Sequence, residues 1–324
     1  MKVTEHYDRS AEPLISFEII PPKRGKSAQK VFDSLDKVMK FNPPFIDVTS
    51  HAAEVYFEEL PDGSVKRHVK RKRPGTIGLS AAIKHRYNID PVPHLICDGF
   101  TKEETEDALI ELNFLGIENV LAIRGDEKNT PGKQDREVNE YAIDLVKQIQ
   151  DMNNGNYLEE MAEAENTDFC VGVGGYPEKH FEAPNLGWDI ERLKEKVDAG
   201  GDYIVTQMFF DNEAFFDFEK RCREAGIEVP IIPGLKVLTR QRHLNFLPKF
   251  FHLNLPPDLI TEVEANPDRV DEVGIEWCRQ QCLELLDHGV PGLHFYIMAN
   301  PNSAIDVIDE LPIGQSSRKT VKSG

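Results

Sequence analysis

Seven short stretches of this chain end on side chains that can carry a proton, hold a charge or grip a polar ligand: Glu18, Thr49, His94, Arg124 with Asp126, Tyr176 with His180, Gln207, and His294 with Tyr296. A packed interior has no use for so many polar groups, because each one buried without a partner costs free energy. Their types point to acid–base and charge-stabilising chemistry. Glu18 lies in the run LISFEII, where strand alternation sends Phe17 and Ile19 to one face and Ser16, Glu18 and Ile20 to the other. The Pro21-Pro22 pair then ends strand pairing at once. A carboxyl held among apolar side chains binds its proton more tightly, since desolvation penalises the anion, and this suits a general acid at neutral pH. The plainer alternative is a structural glutamate paired to an arginine or lysine. Tyr176 reads also as a half-buried core tyrosine, His94 as a satisfied core histidine, and His180 as a helix cap.

The stretches that must position these groups are rich in β-branched and aromatic residues: Leu14–Ile20, Phe45–Thr49, Val92–Cys97, Asn119–Arg124, Phe169–Tyr176, Tyr203–Phe210, Val229–Leu235 and Gly292–Met298. Helical patterns lie between them at Ser27–Phe41, Thr101–Gly116, Glu137–Met152, Asp189–Ala199 and Asn212–Ala225. In Thr101–Gly116, Ala108, Leu112 and Leu115 share one face, and Thr101 with Glu104 forms a capping-box pattern. Alternating strand and helix implies parallel pairing with right-handed crossovers. Eight near-continuously apolar strands, with no early glycine-rich strand-to-helix turn, predict an α/β fold: a single (β/α)8 TIM barrel over residues 1–313, followed by a flexible tail at 314–324. Functional residues should then sit at the C-terminal ends of the strands. The Gly172–Gly175 run lacks G-x-G-x-x-G spacing and reads as tight strand packing, with phosphate contact as its alternative. Glu54–Arg73 reads as a surface hairpin or long loop after the second strand, turning at Asp62-Gly63; its basic cluster, Lys66 to Arg73, is a solvated loop or subunit contact, or else a nucleotide-phosphate site.

Composition narrows the class. With 324 residues, 40% hydrophobic and 29% charged, the chain can bury a full core. A formal net charge of −18 repels nucleic acid and anionic membranes, so an anionic ligand must be held by local donors. No apolar run resembles a secretory h-region or reaches the ~18 residues of a membrane span, and a cytoplasmic location is expected. The five cysteines, Cys97, Cys170, Cys222, Cys278 and Cys282, are odd in number and scattered, which predicts reduced thiols. Cys278 and Cys282 stand four apart on a helical stretch, but no nearby His or Cys completes a ligand set, and no metal is expected.

Taken in order, SFEIIPP (Ser16–Pro22), DVTSHA (Asp47–Ala52), PHLIC (Pro93–Cys97), LAIRGD (Leu121–Asp126), GYPEKH (Gly175–His180), KVDAGGDYIVTQMFFD (Lys196–Asp211), IIPGL (Ile231–Leu235) and HFY (His294–Tyr296) resemble the motifs of methylenetetrahydrofolate reductases. The resemblance covers roughly residues 14–298. It implies a barrel that holds FAD and takes a folate and NADH or NADPH as small-molecule partners, NADH being favoured, in one-carbon metabolism that supplies methyl groups for methionine synthesis; no Cys or His lies in a context that suggests a flavin linkage, so the FAD is expected to be noncovalent. By resemblance Glu18 is the acid that protonates the folate, Asp126 the carboxylate beside pterin and flavin, and Gln207 an amide serving pterin and nicotinamide. Thr49 and Tyr296 fall on the substrate side. Thr49, Ala52, His94, Arg124, Gly125, Asp126, Tyr176, His180, Asp189, Arg192 and Lys196 match positions that contact the flavin, its ribose or its diphosphate. Arg124 and Lys196 supply charge of the sign a diphosphate needs.

The sequence also departs from the family pattern. Asn300 stands where an arginine commonly helps hold the folate tail, Arg192 and Glu195 where Asn and Arg often follow the aspartate, and Leu247 where some members carry a stacking phenylalanine. Arg192 is expected near the diphosphate and Glu195 to point elsewhere. The end of the chain soon after the barrel leaves an adenosylmethionine-binding regulatory domain unexpected, and a homo-oligomer is expected. Three other readings compete: a pterin-binding methyltransferase without flavin, a flavin barrel oxidising an imino acid, and a folate binder without catalysis.

Overall fold

The computed structural model describes every residue except 52–53, 61, 71–74, 126–135, 299 and 314–324. Ala52, Asp126, the basic residues Arg71, Lys72 and Arg73, and the tail at 314–324 therefore lie outside the described residues. The strands run β1 (Leu14–Ile19), β2 (Phe45–Val48), β3 (Glu54–Glu59), β4 (Val65–Lys70), β5 (Asp90–Ile96), β6 (Asn119–Ile123), β7 (Cys170–Gly175), β8 (Tyr203–Thr206), β9 (Ile231–Ile232), β10 (Gly234–Leu235) and β11 (Gly292–Met298). The helices run α1 (Val3–Arg9), α2 (Gln29–Val38), α3 (Thr76–Tyr87), α4 (Lys102–Phe114), α5 (Ala142–Asn153), α6 (Leu186–Asp198), α7 (Asn212–Glu224), α8 (His243–Phe251), α9 (Pro257–Ala265), α10 (Val270–His288) and α11 (Asn302–Asp309).

Nine strands pair in parallel in the order β10-β11-β1-β2-β5-β6-β7-β8-β9. Only Pro233 separates β9 from β10, so the two are one interrupted strand, and the sheet curls into the nearly closed barrel that the eight apolar runs predict. Pro233 has no N–H to donate, yet its carbonyl accepts from His294 N at 3.0 Å, which keeps β11 bound across the break. The strand expected at Tyr203–Phe210 stops at Thr206, because Met208, Phe209 and Phe210 leave the sheet to pack in apolar clusters outside it.

The main core is the layer between strands and helices. Phe17 and Ile19 of β1 meet Leu35 of α2 there, with Leu112, Ile149, Phe218 and Phe295, all essentially inaccessible. Helix α4 begins with the expected capping box: Thr101 Oγ1 accepts from Glu104 N at 3.1 Å, and Glu104 Oε2 accepts from Thr101 N at 2.9 Å. Its buried face is Thr105, Leu109 and Leu112, not the Ala108 and Leu115 side, since Leu115 is exposed. The buried face is thus set about one residue away from the one that Ala108, Leu112 and Leu115 share, with Leu109 and Leu112 enclosed.

A second apolar group, Val3, Phe45, Val92, Leu121, Cys170, Tyr203, Val205 and Ile232, fills the lower interior of the ring. Helix α1, which the apolar pattern does not announce, closes that end: Val3 N donates to Asn119 Oδ1 at 2.8 Å at the start of β6, and His6 Nε2 lies 2.9 Å from Asp90 Oδ2 at the start of β5. The glycine run of β7 serves packing. Leu121, Gly172 and Tyr203 are neighbours across three strands, and a Cβ on Gly172 would stand 2.4 Å from the Tyr203 ring.

The hairpin after β2 is present as β3 and β4, antiparallel, with Ser64 N donating to Asp62 Oδ1 at 2.9 Å in its turn. All five cysteines are buried thiols outside any disulfide. Among the described residues no helix is long and apolar enough to cross a membrane.

Candidate active site

The polar strand ends converge in two groups. The first surrounds Glu18. Register places Ser16 beside His294 and Glu18 beside both Tyr296 and Asp47, so alternation along β1, β2 and β11 turns all of these into the ring. The pairing of β1 with β11 shifts by one residue after Glu18, where Ile19 meets Met298 rather than Ile297, and Met298 adopts φ +55°. A bulge of this kind re-aims side chains beside a site.

Glu18 is buried, and its carboxyl is pushed up to about 7, chiefly by desolvation and further by Asp47, against the opposing pull of His94 and Lys236. His94 Nε2 stands 3.6 Å from Glu18 Oε2 and 3.3 Å from Asp47 Oδ1, and burial lowers its imidazole below the usual range. Lys236 donates from Nζ to the Tyr296 carbonyl at 2.8 Å, its ammonium lowered to about 8 by burial. Tyr296 donates its hydroxyl to the Thr206 carbonyl at 2.6 Å. Thr49 is buried with Oγ1 3.3 Å from His51 Nε2, and Gln207 turns its amide oxygen back to Met208 N at 2.9 Å.

The second group lies beyond β6 and β7. Arg124 is ion-paired with Glu182 and lies 5.2 Å from the centre of the Tyr141 ring. Tyr176 meets His180 edge to face at 4.8 Å, and His180 N donates to Asp189 Oδ2 at 2.7 Å. Lys196 donates to the Gly174 carbonyl at 2.8 Å; burial lowers its ammonium to about 8 although Asp189 favours the charge. Gly125, at φ +89°, turns the chain after β6 in a conformation open to glycine. Arg192 and Glu195, expected to diverge, are paired on α6 at 2.8 Å, with Arg192 over the Trp188 ring.

Two members of the first group were not anticipated. Asp47 is a lone charge inside the apolar run FIDV, which was its only signal; the register that sets it beside Glu18 appears only in the fold. Lys236 follows Gly234 by two residues and so shares its face, but the break at Pro233 hides this. A separate cavity between α7, α9 and α10 is lined by Asp211, Glu213, Glu262, Glu276 and Glu284 and holds none of the anticipated residues.

The arrangement is an enclosed acid at the mouth of a barrel beside a rim that carries two cations. The family model for methylenetetrahydrofolate reductase matches residues 2–312. Methylenetetrahydrofolate reductase (NADH) 1 of Arabidopsis thaliana is 30% identical over 324 residues, covering 95% of this chain and 50% of its own length. The 5,10-methylenetetrahydrofolate reductase of Pectobacterium carotovorum subsp. carotovorum is 28% identical over 287 residues, covering 88% of this chain and 85% of its own. The chain thus spans about half the length of the plant relative, and relatives named for NADH and for NADPH both occur. Its fold is like that of a Clostridium thermocellum protein described as binding two copies of 5-methyl-5,6,7,8-tetrahydrofolic acid, at TM-score 0.55 and 14% identity, with 94% of this chain and 96% of that one covered. At such identity the likeness is one of fold alone. The match across nearly all of the barrel places the chain in the methylenetetrahydrofolate reductase family.

Proposed function

We propose that this chain reduces 5,10-methylenetetrahydrofolate to 5-methyltetrahydrofolate at the expense of NAD(P)H, NADH being our choice, in two half-reactions at one site. The observation that carries this reading is the enclosed Glu18 carboxyl, which retains its proton up to about pH 7 at the C-terminal end of β1. The reaction consumes one hydride and one proton. Glu18 donates the proton to a nitrogen of the methylene bridge as its carbon–nitrogen bond opens, leaving an iminium carbon ready for hydride. The donor set beyond β6 and β7 fits FAD: Lys196 is a buried cation with one carbonyl partner, Arg124 a second cation, and Tyr176 with His180 an aromatic ledge. When bound, FAD supplies the hydride chemistry, and the protein supplies orientation, charge and exclusion of water. Thr49, Gln207 and Tyr296 would meet the substrates, with Ala52 and Asp126 completing the site. Residues 1–313 would form the catalytic barrel, and the enzyme would work in the cytoplasm as a homo-oligomer.

The flavin should be held noncovalently, so acid precipitation leaves the yellow colour in the supernatant. Lys196→Met should then weaken flavin binding about 10- to 100-fold, the usual worth of a hydrogen bond to a charged group. Normal flavin content in that variant would remove Lys196 from the cofactor site. A colourless protein would favour the methyltransferase reading.

The pH dependence has a definite sign. Donation needs the protonated carboxyl, so the folate half-reaction should plateau below about pH 7 and fall roughly tenfold per unit above it, while reduction by NADH stays flat over that range. Stopped-flow absorbance at several pH values reads both. A folate half-reaction that speeds up with pH would require a base in place of an acid.

A further inference from the structure

Beneath Glu18 the ring holds polar groups that the proposed reaction leaves without a task. Asp47 is fully enclosed beside Glu18 on the adjoining strand. A single ring nitrogen, His94 Nε2, faces Asp47 Oδ1 at 3.3 Å and Glu18 Oε2 at 3.6 Å, and it can donate one hydrogen to only one of them at a time. From β11, His294 approaches Asp47 with its Nδ1 2.8 Å from Ser16 Oγ; Tyr203 of β8 and Tyr7 of α1 are close enough for the Asp47 charge to raise their hydroxyls. Among the described residues Asp47 Oδ2, His294 Nε2 and the two tyrosine hydroxyls have no hydrogen-bond partner. No lysine or arginine is ion-paired with Asp47 there. Burial pushes the Asp47 carboxyl up to about 7, into the range of Glu18, so the two neighbouring carboxyls lose their protons over the same span of pH.

The groups facing Glu18 pull in opposite directions. His94 of β5 and Lys236 after β10 favour its anion; Asp47 of β2 is the neighbouring charge that favours its proton. Two carboxyls that share one imidazole titrate as a pair, not as independent sites. We propose that Asp47 is a positioning residue for the acid: Asp47, His94 and Glu18 hold their protons as one unit, and once Asp47 has given up its proton its charge keeps the neighbouring Glu18 carboxyl loaded. This rests on Glu18 being the proton donor. Each turnover leaves the unit one proton short, and it takes one up from solvent before the next folate arrives.

Asp47→Asn removes the charge and keeps the size. The folate half-reaction should then lose its proton donor about one pH unit earlier than wild type, giving roughly tenfold slower turnover near pH 8 and little change near pH 6. Flavin content and the NADH half-reaction serve as controls for folding. A loss uniform across pH, or an unchanged profile, overturns the proposal. Should the variant not fold, the wild-type protein without folate gives a second reading. The infrared carbonyl band of protonated Glu18, identified by its disappearance in Glu18→Gln, should titrate in two steps; a single-site curve overturns the proposal. If Glu18→Gln leaves the folate half-reaction at full speed, the reading of Glu18 as donor fails while the infrared titration still tests the shared unit. If Glu18→Gln is slow but Asp47→Asn keeps the wild-type profile, only the shared unit fails.

Discussion

In Glu18→Gln protein the folate half-reaction is expected to run about 10²- to 10⁴-fold slower than in wild type, the usual cost of losing a positioned general acid. Glutamine keeps the length and hydrogen-bonding reach of the side chain, so the contacts around His94 and the packing of β1 survive. Only the transferable proton is lost. Reduction by NADH requires no proton at a folate nitrogen and should stay within about tenfold of wild type, because the interaction removed is made only in the folate transition state. The fall in rate above about pH 7 should vanish as well, since the group that titrates there is gone. Stopped-flow traces of each half-reaction decide the matter. Wild-type reoxidation by methylenetetrahydrofolate in a variant with normal flavin would assign the proton to another donor.

The second large effect concerns the seam that closes the ring. Gly234 pairs with His294 and donates its N–H to Thr206 Oγ1 at 2.9 Å. An added Cβ would stand 2.2 Å from the Thr206 carbonyl oxygen and 2.6 Å from the Tyr296 ring. The ring could swing aside, but the backbone oxygen belongs to β8 and cannot. Gly234→Ala must therefore spread β8, β10 and β11, at the upper end of the usual overpacking cost, about 3 kcal/mol. For a chain of this size that is a fall in Tm of roughly 5 °C. The folate half-reaction should slow with it, because Tyr296 loses its bond to Thr206. An alanine variant with unchanged Tm would show that the seam yields more easily than its geometry allows.

How legible this molecule was in its sequence depended on the range of the interaction. The runs at Leu14–Ile20 and Gly292–Met298 are strands because alternation and β-branched content act locally, and β11 has the same bounds as its run. The apolar run through Phe210 was misleading at its end, since composition cannot tell a residue in the sheet from one packed above it. Helices α8 and α9 escaped for a related reason, and of α10 only the stretch around Cys278 and Cys282 was read as helical. The first carries Pro248 inside an aromatic stretch, and all three belong to an excursion between β10 and β11 that no strand–helix alternation predicts. At the site, Glu18 and His94 could be read from strand-end chemistry. Their partners Asp47 and Lys236 could not, because register between strands 29 and 218 residues from Glu18 fixes them. Asp126 lies outside the described residues, and its part in the site rests on motif resemblance.

The apolar layer that joins strands to helices has a consequence for how such a protein can change over generations. Most of the fold's stabilising contact lies in that outer annulus, where Phe17, Ile19, Leu35 and Phe295 interlock. Polar atoms inside the ring contribute little to it, so exchanging one for another at Ser16, Asp47 or His294 can retune proton affinity while the annulus continues to hold the barrel. Added bulk is the exception, as the crowding at Gly172 and Gly234 shows. Selection can therefore adjust the working pH of the barrel by swaps of charge and hydrogen-bonding character at nearly constant volume, with little need for compensating mutations on the helices.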